Sequence, residues 1–212
     1  MNLIARILSG VMAAEEEEAN GEVVREIEHV VYGRLLDLTQ LIDAASRTHQ
    51  EQWQVRIAKT DTNAASGCFR IRKVVEYGSS EAQYVFTTKT TVSGPGDKLE
   101  LSTETDEVHF KMFQQLSDHG MIKDRYVFPV PNTDLKWEFD LFLKPDGGYY
   151  EWVKIDLEVP SKETPLPDLP IKLEDVIYPV GQGREADATV DAFVTELYEK
   201  FFLTKNVFLN GQ

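Results

Sequence analysis

Six basic residues, Arg56, Arg70, Arg72, Lys89, Lys123 and Arg125, stand in short segments of alternating polarity. Guanidinium forks and ammonium groups in such numbers suit the oxygens of a phosphate or polyphosphate. Five carboxylates, Glu26, Glu28, Asp140, Asp156 and Glu158, alternate in the same way elsewhere in the chain. They offer the hard oxygen donors that Mg²⁺ and Mn²⁺ prefer. A metal bridging phosphate to carboxylates is the recurring arrangement for phosphoryl chemistry. Each pair alone is a weak signal, and the whole set in order is a stronger one.

The elements that carry these residues are mostly strands. Alternation with period two predicts strands near 23–31, 52–60, 67–76, 82–92, 98–106, 122–128, 135–143 and 149–159. Turn signals separate several of them: Gly78-Ser79-Ser80, Gly94-Pro95-Gly96 and Asp146-Gly147-Gly148. Helical spacing predicts three helices, over about 33–46, 106–119 and 187–203, each with an apolar stripe. Pro160–Pro170 reads as an extended connector. Residues i and i+2 of a strand share a face, so the charges sort by strand. The third and sixth strands are basic on one face, and the first and last are acidic. Two arrangements accommodate this. One is an antiparallel sheet with a solvated outer face. The other is a barrel with charges lining its inside and helices covering an apolar outside, the reverse of ordinary small-barrel filling. A charged lumen is costly unless a ligand and metal occupy it.

The chain has 212 residues and 24.1 kDa, with 22 Lys+Arg against 36 Asp+Glu and a net charge of −14. Such acidity repels duplex nucleic acid yet leaves room for one basic pocket. The single cysteine, Cys68, excludes a disulfide framework and a cysteine-rich zinc site. No apolar run reaches the roughly 20 residues of a membrane helix, and the expected location is cytoplasmic. Residues 1–20, apolar and then acidic at Glu15–Glu18, read as a tail, and 21–212 as one domain. The scattered histidines His29, His49, His109 and His119 read as surface or packing residues.

Arg25-Glu26-Ile27-Glu28, Phe69-Arg70-Ile71-Arg72, Thr87-Thr88-Lys89, Glu104-Thr105-Asp106, Lys123-Asp124-Arg125-Tyr126, Trp137-Glu138-Phe139-Asp140 and Ile155-Asp156-Leu157-Glu158 follow one another in this order. Over about residues 23–203 the chain resembles the CYTH superfamily, the triphosphate tunnel metalloenzymes. These stretches are similar to that family's E-x-E-x-K, R-x-R, T-x-K, acidic strand-to-helix, K-x-R-Y, aspartate and late E-x-E elements. The resemblance implies an α+β fold: an antiparallel eight-stranded β-barrel, or tunnel, with a charged lumen and flanking helices. It implies a small polyphosphate or nucleotide ligand and Mg²⁺ or Mn²⁺ as cofactor.

Two departures stand out. Val30 occupies the place of the motif lysine, and Asp156 the place of a glutamate. Lys136 and Lys154 are candidates for the substitute cation, and Arg184 for the tunnel mouth. The expected activity is metal-dependent hydrolysis of a nucleoside triphosphate or inorganic triphosphate. Arg56, Arg70, Arg72, Lys89, Lys123, Arg125, Lys136, Lys154 and Arg184 would bind substrate. Glu26, Glu28, Glu104, Asp106, Asp140, Asp156 and Glu158 would hold metal, with Glu28, Lys89 and Asp140 as the catalytic set. Adenylyl cyclase chemistry and non-catalytic sequestration of a phosphorylated ligand are the alternatives. An antiparallel homodimer is compatible with such a barrel.

Overall fold

A strand whose side chains alternate between apolar and charged can bury one face and keep the other wet, and this chain uses that pattern around a complete ring. The computed structural model describes residues 23–57, 67–91, 97–117, 119–178 and 188–204. Eight strands form the ring: β1 (Val23–Arg34), β2 (Ser46–Ile57), β3 (Gly67–Glu76), β4 (Ala82–Thr91), β5 (Asp97–Thr105), β6 (His119–Pro129), β7 (Lys136–Leu143) and β8 (Tyr149–Glu158). Their order is β6-β2-β3-β4-β5-β1-β8-β7, and β7 pairs back onto β6. Every pairing in the ring is antiparallel, so the barrel closes with no free edge. Two short strands lie outside it, β9 (Glu174–Ile177) along β1 and β10 (Leu203–Thr204) along β6.

The β3–β4 and β7–β8 hairpins turn at Gly78 (φ 85°) and Gly147 (φ 84°), where a side chain would be strained. The turn at Gly94-Pro95-Gly96, the tail over residues 1–20 and Arg184 lie outside the described residues.

One helix of the sequence reading does not form. Over 33–46, β1 continues to Arg34, which pairs with Trp152, and Leu35 N–H donates to the Glu151 carbonyl. Only a 3₁₀ turn, Leu38–Asp43, follows, capped by the Asp37 carboxylate on Thr39 N–H. The sheet ladder wins over helical spacing here: Leu35 and Leu41 are buried while Leu38 and Ile42 are exposed. The other two helices form as α1 (Glu107–Leu116) and α2 (Ala188–Lys200). In α1 the inward residues are Phe110 and Phe113, and Val108, Met112 and Leu116 face outward.

The apolar core lies outside the ring. Trp137, Phe139, Leu141, Val153, Ile155 and Leu157 of β7 and β8 are at most 1% exposed and pack under the segment after β8, through Leu166, Leu169 and Ile171. Trp53 and Ile71 pack under Phe110 of α1. At one end of the barrel the inward-facing positions themselves turn apolar. Tyr32, Met121 and Phe142 meet Leu197 of α2 and Phe201 just beyond it, with the Phe142 and Phe201 rings stacked at 3.8 Å. Helix α2 therefore sits across that end. Among the described residues no helix is long and apolar enough to cross a membrane.

Candidate functional site

The charged faces of the eight strands point into the ring and line a cavity of about 770 Å³. Twelve of the residues singled out from the sequence lie on its wall: Glu26, Glu28, Arg56, Arg70, Arg72, Lys89, Lys123, Arg125, Asp140, Lys154, Asp156 and Glu158. The lumen arrangement, and not the solvated sheet, is the one this chain adopts. Eight basic and seven acidic side chains line it, so cations are concentrated there in a chain of net charge −14.

Three of the expected residues stand elsewhere. Asp106 caps α1, accepting from His109 N–H at 2.9 Å. Glu104 is exposed near the end of β5, off the cavity wall. Lys136 is exposed at the outer mouth, beside Glu138 and Glu158. Conversely, Lys98, Glu100 and Glu138 line the cavity and were missing from the expected set. Lys98 and Glu100 sit at i and i+2 of β5, so the alternation that placed their neighbours would have found them too. The cysteine faces the lumen as a free thiol. His29 is buried with Nε2 at 3.1 Å from the Thr164 carbonyl, and His49 pairs with Asp124.

Register places opposite charges against one another. Arg125 faces Asp140 across β6–β7, and its Nε and Nη2 donate to the two Asp140 oxygens at 2.7 and 2.8 Å. Lys123 Nζ donates to Asp140 Oδ2 at 2.5 Å. Burial opposes the Asp140 charge, but Arg125 and Lys123 outweigh it and hold the carboxyl far below its usual range. Burial, helped by Arg125, pushes Lys123 down to about 7. Lys89 Nζ donates to Glu26 Oε2 at 2.6 Å and also bonds Glu100. Lys98 bonds Glu28, Lys154 bonds Asp156, and Arg125 reaches Glu138. Lys154 faces Tyr32 of β1 two places along from Val30, and its charge acts on Glu28 and Asp140. A cation absent from position 30 is thus present from the neighbouring strand.

Two arginines have little compensation. Arg70 has Glu100 at 3.8 Å, and Arg72 has no ion pair within 4 Å among the described residues. Both Nε atoms are buried without a hydrogen-bond partner. Burial, then Arg70 and Arg125, push the Arg72 guanidinium down to about 9. At the end covered by α2, Arg56 pairs with Glu199 and lies over the Phe202 ring at 4.5 Å from its centroid, tying α2 to the barrel.

At the other mouth Glu26, Glu100, Glu138 and Glu158 also line a second hollow of about 740 Å³. Glu158 is exposed, yet partial desolvation of its carboxyl, then Glu138 and Glu26, hold it above its usual range. Glu26 is raised as well, by burial against the pull of Lys89.

These shifts give stability a signed pH dependence. Against the cost of burial, lysines hold Glu28 and Glu100 down to about 2, and hydrogen bonds from His49, Tyr149 and Arg47 hold Asp124 down to about 2. Their contribution is present above the ordinary carboxylate pKa and is lost as pH falls through the lowered one. The Glu28 shift from 4.5 to about 2 corresponds to about 3 kcal/mol. Glu26 and Glu158 work the other way and gain as they take up protons. Thermal melts are expected to change little between about pH 7 and 5 and to collapse between about pH 4.5 and 2.

Magnesium or manganese would need an open group of oxygen donors. Among the described residues no three carboxylate, histidine or cysteine side chains are grouped to hold a metal ion. Glu26, Glu28, Glu100, Asp140 and Asp156 each already carry a lysine or arginine on their oxygens. The donor set as arranged does not fit a resident divalent ion.

No protein-family model matches the chain, and no curated protein matches it. Solved structures do. The protein PH1819 from Pyrococcus horikoshii OT3 is similar over 84% of this chain and 92% of its own, with 14% identity and a TM-score of 0.46. The hypothetical protein NE1496 is similar over 75% and 93%, with 14% identity and a TM-score of 0.38. A Bacillus halodurans protein named a "putative adenylate cyclase" is similar over 66% and 83%, with 15% identity and a TM-score of 0.40. The tunnel fold of this chain rests on its own closed strand pairing.

Proposed function

We propose that the tunnel binds a small molecule bearing a triphosphate or other polyphosphate, in the way of the CYTH superfamily its motifs resemble. The observation that carries this reading is the Arg70–Arg72 pair. Two guanidinium groups on one strand face lie inside a cavity with Nε atoms that lack partners. A buried cation with so little compensation is costly, and a phosphate oxygen is the partner that guanidinium geometry fits. Lys123 and Arg125 continue the wall on β6. In this reading Glu28 and Asp140 hold the surrounding cations in place, and Lys89 holds the carboxylates of Glu26 and Glu100.

Calorimetric titration of the whole chain with inorganic triphosphate, ATP, GTP and inorganic phosphate tests it. Binding of a triphosphate compound in preference to phosphate is the expected result. Absence of heat and of thermal stabilisation with all four would reject the reading.

Turnover is a second reading, favoured by Glu158. A carboxyl at the mouth, held above its usual range, is suited to take a proton from an attacking water. Phosphate release from the best-bound compound, lost in Glu158→Gln with binding retained, is the expected signature of hydrolysis. Appearance of a cyclic nucleotide instead would identify a cyclase, and binding with neither product would identify a sequestering protein.

A further inference from the structure

Glu26 and Glu28 share the inward face of β1, and Glu28 is the register partner of Glu158 on β8. As they stand these three are not grouped to hold a metal ion, but together they give this stretch of wall a negative potential that favours a cation. The chain brings one of its own. Lys98 on β5 is the register partner of Glu26, and its ammonium bonds Glu28 Oε1. It comes from a strand fixed by ladders on both sides, to β4 and to β1, so the fold sets the place from which this side chain reaches the carboxylate. Glu28 is 8% exposed, and the Lys98 side chain is 27% exposed.

We propose that Lys98 is the built-in counter-ion of this acidic wall, occupying the carboxylate that a divalent metal ion would need, so that the tunnel takes its anion without Mg²⁺ or Mn²⁺. A metal drawn to Glu28 would have to displace the ammonium already on Oε1, or share its surroundings with it. Displacement leaves Lys98 without its counter-charge and with Lys154 as a like-charged neighbour, and sharing sets the metal against both ammonium groups. Lys154 on Asp156 and Lys89 on Glu26 repeat the arrangement to either side. The first half of the proposal concerns the acidic wall alone, and the anion clause rests on the function proposed above.

Titration of the EDTA-stripped whole chain with Mn²⁺, followed by the paramagnetic signal of the free ion, tests the first half without any anion. The wild type and Lys98→Arg are expected to leave the signal of equimolar Mn²⁺ unchanged. Lys98→Met, which frees Glu28 to turn toward Glu26 and Glu158, is expected to reduce it by binding Mn²⁺, and Glu28→Gln in that background to restore it. Stoichiometric uptake by the wild type, lost in Glu28→Gln, would overturn the proposal, and it remains decisive if Lys98→Met does not fold. For the anion clause, inorganic triphosphate is titrated in EDTA and in Mn²⁺. Affinities within about threefold of one another support it, and binding only with Mn²⁺ overturns it. Binding in neither condition rejects the polyphosphate reading, with the Mn²⁺ titration still deciding the role of Lys98.

Discussion

Arg72→Met is expected to make the free protein more stable and to weaken its hold on inorganic triphosphate by about a hundredfold. The two effects have one origin. Among the described residues Arg72 has no ion pair within 4 Å, a buried Nε without a partner, and Arg70 and Arg125 as like-charged neighbours. Burying such a charge destabilises the barrel, and a methionine of similar length keeps the packing of the stem while removing the charge. A gain of about 1–3 kcal/mol in unfolding free energy follows. The same guanidinium is the group an anion would meet, and losing two charge-assisted hydrogen bonds costs about 3 kcal/mol of binding. Urea denaturation and calorimetric titration read the two quantities separately. A destabilised variant would mean that Arg72 is held by its surroundings, and unchanged affinity would remove it from the anion site.

Asp140→Asn should act in the opposite sense. Asp140 is 1% exposed and accepts from Lys123 once and from Arg125 twice. An asparagine keeps the shape but leaves Arg125, with Arg72 beside it, short of its counter-charge, while Lys123, already pushed down to about 7, sheds its proton. Breaking a buried pair in this way costs about 3–5 kcal/mol. An anion that binds there should return part of the loss by mass action. Thermal melts in sulfate, against sodium chloride at equal ionic strength, are expected to show a low Tm that sulfate raises more in Asp140→Asn than in the wild type. Equal response of the two proteins would show that Asp140 is not the anion's competitor for those cations.

The strands and their charged faces were legible because alternation is local: Arg70 and Arg72, or Asp156 and Glu158, declare a shared face within three residues. Closure of the ring is not local. It depends on β2 pairing with β6 and β1 with β8, contacts that no window of sequence contains. The segment 33–46 shows the same limit from the other side. Leu35, Leu38, Leu41 and Ile42 have helical spacing, yet the ladder from β1 to Trp152 takes the first of these residues into extended chain. The candidate site was legible as an inventory of charges and not as a set of partners. That Lys98 meets Glu28, 70 residues away, follows from the stagger of β5 on β1. A resemblance to a metal-binding motif likewise says which carboxylates are present and not which ammonium groups already occupy them. Asp106 and Glu104 belong to the motif by order, but β5 carries them past the end of the cavity, where Asp106 has a helix to cap.

The inverted barrel also has a thermal consequence. Apolar surface uncovered on unfolding raises the heat capacity and polar surface lowers it. Here most of the space enclosed by the strands is lined by charges, and the apolar contacts fall in three separate clusters, two over the outside and one at the end under α2. Opening the barrel therefore uncovers more polar surface than opening one filled with valine and leucine. Its heat-capacity increment falls below the usual ~12–15 cal/mol/K per residue. The stability curve of this chain is correspondingly shallow, so that cooling weakens it less than it would weaken a barrel of the same size with an oily centre.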